Sequence, residues 1–370
     1  MTARVPFSEA LEDITGGNIK IPRSEYQSSG GLPVVDQSRS EIAGFTDRLS
    51  SALKVDEPVI VFGDHTRAVK FVDFRFALGA DGVKVLRARE GFEPKFVYHY
   101  LRTTKLPDAG YSRHFKFLKN INLPKPPLKE QQRVVEVLDR ADAVCKKRRM
   151  FLGHLSQLPQ SVFGEMFGDL STEAKSYPTV PLQDWIDPDR PVTYGILMPG
   201  PVVEGGVPYV RVADMTNGGI NLATVRRTTS EIAQSYRRSQ LKSGDLLISI
   251  RGHVGRCAFV PAELAGGNIT QDSARLALAE PISAHYVRAA LEAPALQRWM
   301  QQRTKGAAVR GINLGDLRQA PIPQPPFAQQ AAFAAAAEAI ASVVSQARKS
   351  LVAAEELLAS LQSRAFSGQL

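Results

Sequence analysis

The run "EPVIVFGDHTR" ends in an acid, an imidazole, a hydroxyl and a guanidinium in a row, Asp64 to Arg67. Asp64 and His65 have the side chains of a general acid/base pair, but no third group stands where it would orient the imidazole. Such a pair at a strand end reads as a turn with exposed polar side chains. A second stretch, "RGHVGR", again sets a histidine among arginines, with Arg251, His253 and Arg256. No G-x-x-x-x-G-K-[ST] loop, G-x-G-x-x-G turn, H-E-x-x-H pair or Cys/His cluster occurs anywhere in the chain. The Asp/Asn-Pro-Pro-aromatic tetrapeptide that holds an exocyclic amine for methyl transfer is also missing. Cys145 and Cys257 stand far apart and read as small buried hydrophobes. The expectation is a chain with no catalytic residues and no metal ligands.

What these loops do offer is a surface for nucleic acid. In the first half it comprises Lys20, Arg23, Gln37, Arg39, His65, Thr66, Arg67, Tyr111, Arg113, His114 and Lys116. In the second half it comprises Tyr194, Arg211, Arg226, Arg227, Arg251, His253, Arg256, Lys305 and Arg310. Arginine and lysine grip phosphate or read guanine, and Gln, Ser and Thr read adenine or position the backbone. Each residue taken singly reads as a solvated charge; two sets in corresponding places read as two binding faces. The formal net charge of +9 favours an anionic partner by long-range attraction and counterion release. A composition 44% hydrophobic and 22% charged excludes a disordered chain.

The elements that must position these loops come in a repeated order. "LPKPPLKEQQ", Leu123 to Gln132, returns as "IPQPPFAQQ", Ile322 to Gln330, and Pro124 matches Pro323 at an offset of 199 residues. The offset then holds without a gap, pairing Gln131 with Gln330, Arg149 with Arg348 and Phe167 with Phe366. After each Pro-Pro pair, which is extended, apolar residues recur three or four apart, as in a long helix. The packing stripe is expected at Val134, Leu138, Val144, Leu152, Leu155 and Leu158 in the first helix. In the second it is expected at Ile340, Val343, Leu351, Leu357 and Leu361. About forty helical residues span roughly 60 Å, and a lone helix of that length has nowhere to bury its stripe. An antiparallel coiled coil of the two solves this and gives the chain an approximate internal two-fold. Pro159 predicts a kink or break in the first helix.

Upstream of each helix lie short β-like runs separated by turns. The fold class is α+β: two mixed α/β domains joined by two long helices packed as an antiparallel coiled coil. The expected boundaries are residues 1–122, 123–170, 171–321 and 322–370. The start lacks a signal-peptide core, and no apolar run is expected to reach membrane-spanning length, which points to a cytoplasmic protein.

The order of variable domain, "lPxPPLxEQ" and long helix ending in an aromatic, twice over, resembles the specificity (S) subunits of type I restriction-modification enzymes. "INLPKPPLKEQQRVVEVLDRADAV" with "VFGEMFGD", and "APIPQPPFAQQ" with "RAFSGQL", carry the likeness. "VIVFGDHTRAVKFVDFRFALGADGVKVL", "GDLLISIRGHVGRCAFV" and "PYVRVADM" resemble that family's target-recognition domains. The resemblance implies a non-catalytic reader of double-stranded DNA, each domain contacting half of a bipartite target while the helices set the gap. It implies two methyltransferase (M) subunits using S-adenosylmethionine, and restriction (R) subunits that translocate with ATP and Mg2+. This chain would bind none of those cofactors, and no membrane. The departures from the family pattern are a start expected to lie almost inside the first recognition domain, Gln329 where the first motif has Glu130, and an alanine-rich second helix. The alternatives are a specificity subunit of a related fused methylase-nuclease system, a coiled-coil scaffold without DNA binding, and a nuclease or methylase with an unrecognised site.

Overall fold

Every residue of the strand Val59–Gly63 is buried, which an alternating strand achieves only when both of its faces are covered. Ile60 and Phe62 join Leu86 against Val97 and Leu101 of the helix Pro94–Thr103. Val59 and Val61 face the other way, packing with Val35, Leu53, Leu78 and Val85. The computed structural model describes residues 3–79, 82–107, 112–168, 177–216, 219–306 and 310–370. The chain divides into two compact units, residues 1–150 with 348–370 and residues 151–347.

In the first unit an antiparallel sheet runs in the order Leu11–Asp13, Val83–Ala88, Val59–Gly63, Val69–Val72. A second sheet, Lys20–Ile21, Ala77–Gly79, Leu32–Val35, Gly44–Thr46, has parallel pairings at its centre. The second unit repeats the theme. Its sheet orders Thr193–Tyr194, Ser273–Leu276, Leu246–Ser249 and Cys257–Phe259. Here Leu246 and Ile248 face the core of helix Ala284–Glu292, and Leu247 faces the opposite cluster. A further sheet joins Arg226–Thr228, Val207–Val210 and Asn268–Ile269. Helix Ala284–Glu292 and the next, Pro294–Gln302, are separate because Ala293 before Pro294 takes an extended conformation.

The repeated proline motif is a joint. Asn122–Pro124 pairs antiparallel with Arg4–Pro6, and Pro321–Pro323 pairs the same way with Thr179–Pro181. One turn later the helices Leu128–Phe167 and Phe327–Ser367 begin. Gln131 and Gln330, both buried, fold back to donate to the carbonyls of Pro126 at 2.9 Å and Pro325 at 3.0 Å. A proline there has left its carbonyl beyond the reach of the helical ladder, and the glutamine amide satisfies it.

From these glutamines each helix carries a seam with alternating steps of three and four: 131, 134, 138, 141, 145, 148, 152, 155 and 330, 333, 337, 340, 344, 347, 351, 354, 358, 361. Val134, Leu138, Leu155 and, in the second helix, Phe333, Ala337 and Leu358 are buried, and Leu152, Ile340, Leu351 and Leu361 are half-buried. Four expected packing residues are wrong by one position. Val144, Leu158, Val343 and Leu357 are exposed, since the seam passes through Cys145, Pro159, Val344 and Leu358 beside them.

The two helices run antiparallel within each unit. In the first, Arg149 reaches Glu355 at 2.6 Å, Arg148 bonds the carbonyl and hydroxyl of Ser350, and Val134 and Leu138 cluster with Leu358. In the second, Phe163 and Phe167 meet Phe333 edge to face with centroids 5.6 and 5.8 Å apart. The first helix stays helical through Pro159, so the expected break does not occur: the proline removes one backbone donor, and the seam holds the turn. Phe327–Ser367 is long and apolar enough to cross a membrane by length and composition, with a window of mean hydropathy 1.3, where no such run was expected. Alanine accounts for the average without supplying a broad apolar stripe.

Each unit is bonded to both helices. On Pro94–Thr103, Lys95 and His99 both bond Asp139 at 2.8 Å, and Arg102 bonds Asp142 at 3.0 Å. Phe366, near the end of the second helix, packs on Phe96 and Tyr100 at 5.5 and 5.2 Å. The second unit uses the equivalent positions, with Glu338 on His285 at 3.5 Å and Phe167 on Tyr286 at 4.9 Å.

Candidate nucleic-acid interface

Each of the two central hairpins ends in one of the basic turns. Val59–Gly63 and Val69–Val72 are joined by Asp64 to Ala68, with Gly63 donating to the Ala68 carbonyl and Arg67 to that of Gly63, both at 2.8 Å. Arg67 has φ 59°, the left-handed region, and is the one non-glycine residue there among those described. In the second unit Leu246–Ser249 and Cys257–Phe259 are joined by Ile250 to Arg256. There the left-handed positions are the glycines Gly252 and Gly255.

Around the first turn the structure gathers Gln37, His65, Thr66 and the segment Arg113 to Lys116. Gln37 accepts from the His65 amide at 3.3 Å, and its carbonyl accepts the Thr66 hydroxyl. Arg67, Arg113, Lys116 and Thr66 are exposed, and His65 is half-buried. Lys20, Arg23 and Arg39 are exposed on the neighbouring strand and loops. Tyr111 lies outside the described residues. His114 is a correction: it is 1% exposed, its ring nitrogen faces the Asp64 carbonyl at 3.1 Å, and it is part of the packing. Asp64 is buried too, accepting from the Phe115 amide at 2.7 Å, so it orders this segment.

The second turn opens on a cleft of about 750 Å³ lined by Arg251, His253, Gln271, Asp272, Lys305 and Asn313 among others. Gly252 donates to the Arg310 carbonyl and Lys305 exchanges backbone bonds with Gly311, which draws two distant segments together. Arg251 donates to Gln271 at 3.1 Å and lies 3.8 Å from Asp272, yet remains about half exposed. His253, Lys305 and Arg310 are exposed, as are Tyr194, Arg226 and Arg227.

Two arginines expected here are spent on the fold. Arg211 makes a bidentate pair with buried Asp214 at 3.0 and 2.7 Å and bonds the Thr224 carbonyl. That pair holds the Asp214 carboxyl below its usual range despite the opposing effect of burial, which would raise it. Arg256, half-buried, donates to the carbonyl of Met215 at 3.0 Å. Conversely, Gln271, Asp272 and Asn313 line the cleft without having drawn notice as isolated polar residues. Strand pairing brings them there, and no local spacing announces it. Leu197, Met198 and Val202 were also missed; the "PGP" within their loop was the available sign of an exposed turn.

Comparison with known proteins places this arrangement. The family model described as the type I restriction modification DNA specificity domain matches residues 8–149, the first domain and the first half of its helix. The chain is 27% identical to the specificity subunit of the type I restriction enzyme EcoBI of Escherichia coli, over 98% of this chain and 85% of that one. A putative type I specificity subunit of Haemophilus influenzae is 23% identical, over 70% and 68% of the two. Among solved structures, a type I restriction-modification S subunit from M. genitalium superposes with TM-score 0.59 at 14% identity, covering 99% of this chain and 96% of that one.

Proposed function

We propose that the chain is a specificity subunit of a type I restriction-modification system, and that its parts divide the work of one. It is the non-catalytic DNA-reading subunit, and it assembles with modification and restriction subunits. The observation that carries the reading is the placement of a basic, polar turn at the same end of the central hairpin in each unit, "GDHTR" and "RGHVGR". Each unit reads one half of a bipartite duplex site.

Arg67, Arg113 and Lys116 in one unit, and Arg251, His253, Lys305 and Arg310 in the other, supply phosphate and base contacts. Gln37 and Thr66 hold the first turn in shape, as Gln271 holds Arg251. Since each unit is bonded to both long helices, the helices set the distance between half-sites. Two modification subunits dock on the assembly, bind S-adenosylmethionine and methylate adenine. ATP and Mg2+ serve the restriction subunits.

Duplex binding by the full chain with its modification subunits, measured against salt, tests this. The expected result is sequence preference with a steep fall in affinity as salt rises. Sequence-blind binding, or methyl transfer by the chain alone, contradicts it.

A further inference from the structure

Leu197, Met198 and Val202 are 46%, 81% and 61% exposed within six residues of one loop. Large apolar side chains held out of a folded surface in this density mark a contact site. The loop is framed at both ends. Ile196, fully buried, donates to the Ile269 carbonyl at 2.8 Å and accepts from the Gln271 amide at 3.0 Å. At the far end Val203 donates to the Arg227 carbonyl at 3.1 Å, and the Pro199 carbonyl accepts the Thr228 hydroxyl at 2.7 Å. Prolines at 199 and 201 stiffen what lies between.

Its neighbours select the partner. Gln271, which anchors the start of the loop through its backbone, holds Arg251 at the mouth of the cleft through its side chain. Arg226 and Arg227, both exposed, lie on the strand that anchors the end, and Arg227 is turned to the Gly206 carbonyl at 2.8 Å. Glu204 is the one acid adjoining the loop in sequence. An apolar tip whose two anchoring segments hold Arg251, beside Asp272 at 3.8 Å, and carry the exposed Arg226 and Arg227 fits a nucleic-acid duplex, whose phosphates meet the arginines while its base stack receives the tip.

We propose that the loop from Leu197 to Val202 is a wedge that inserts Leu197 and Met198 between base pairs of the duplex, unstacking one step beside the half-site read by the second unit. This rests on the reading of the chain as a DNA reader. Such a wedge deforms the duplex, so a pyrimidine–purine step at that position is favoured without any hydrogen bond to its bases. It also eases extrusion of a base toward a modification subunit.

The test uses the full chain with its modification subunits and a duplex carrying its selected target, with 2-aminopurine walked through and beyond the second half-site. The expected result is a rise in emission at one step distinct from the adenine that is methylated. Leu197→Ala/Met198→Ala abolishes that rise, leaves the rise at the methylated adenine, and weakens binding on the order of tenfold. Both side chains are exposed, so thermal unfolding of the variant matches the parent. Emission confined to the methylated adenine in the parent, or a second rise that survives in the variant, overturns the wedge. So does a variant that binds duplex normally but loses a modification subunit, which makes the loop a protein-docking site. A complex with no sequence preference at all overturns the DNA-reader reading and the wedge together.

Discussion

Arg67 separates what a side chain does from what its backbone costs. With φ 59° it occupies a conformation that costs an L-residue about 1–2 kcal/mol relative to the right-handed one. Glycine adopts it freely, at an entropic cost of about 0.5–1 kcal/mol in the unfolded chain. Arg67→Gly is therefore as stable as Arg67→Ala or more stable by up to about 1.5 kcal/mol, since only the alanine variant keeps the strained backbone. Both variants remove the same guanidinium. If that group contacts a base or phosphate, both lose about 1–3 kcal/mol of binding, roughly 5- to 150-fold. Thermal unfolding and duplex titration at fixed salt read the two quantities independently. The expected pattern is equal loss of affinity with Gly at least as stable as Ala. Variants that bind as tightly as the parent refute the assignment of Arg67 to the interface, and a glycine variant that unfolds before the alanine one refutes the strain argument.

Other predictions follow from the joints. Gln131 makes three bonds, accepting from the Glu93 amide at 2.8 Å and donating to the carbonyls of Gly91 at 3.0 Å and Pro126 at 2.9 Å. Among the described residues the Gln330 side chain makes one bond, to Pro325, and its buried carbonyl oxygen has no partner. Gln131→Leu should therefore cost about 3 kcal/mol and Gln330→Leu no more than about 1, measured by urea unfolding; equal costs contradict the asymmetry. For pH, burial pushes His99 below the ordinary histidine range, outweighing the Asp139 bond, and burial also lowers His285, which faces Glu338 and Arg288. The unfolded chain thus binds more protons just below its histidine pKa of about 6.5, so stability is complete above that pH and declines as pH falls through it. His99→Gln, which keeps a donor toward Asp139, should flatten the decline between pH 7 and 5 in thermal unfolding; an unchanged slope removes His99 as its source.

How far the sequence carried depended on whether partners were local. The seam was legible because a 3.5-residue period survives in the primary pattern, and the offset of 199 residues tied Gln131 to Gln330 before any contact was known. It slipped by one at Val144, Val343, Leu158 and Leu357 because these apolar residues flank seam positions, and hydrophobicity alone does not choose between neighbours. The basic turns were legible from "GDHTR" and "RGHVGR", since glycine, charge and strand end coincide. Burial of His114 and the pairing of Arg211 were not. The partner of His114 lies fifty residues away in sequence, and that of Arg211, although only three residues on, needed a turn that the pattern did not announce. The cleft at Arg251 needs Gln271 from another strand and Lys305 from beyond two helices, so only the fold assembles it.

The central claim is that two similar units on one pair of helices read two half-sites. Methylome sequencing of cells with and without this chain, its modification subunits present in both, tests it most directly. The account predicts that methylated adenines define one motif of two short specific parts separated by a fixed unspecified gap, and that the motif disappears without the chain. It further predicts that replacing the turn Arg251 to Arg256 alters one part only. A single uninterrupted motif, or methylation that persists unchanged without the chain, contradicts it.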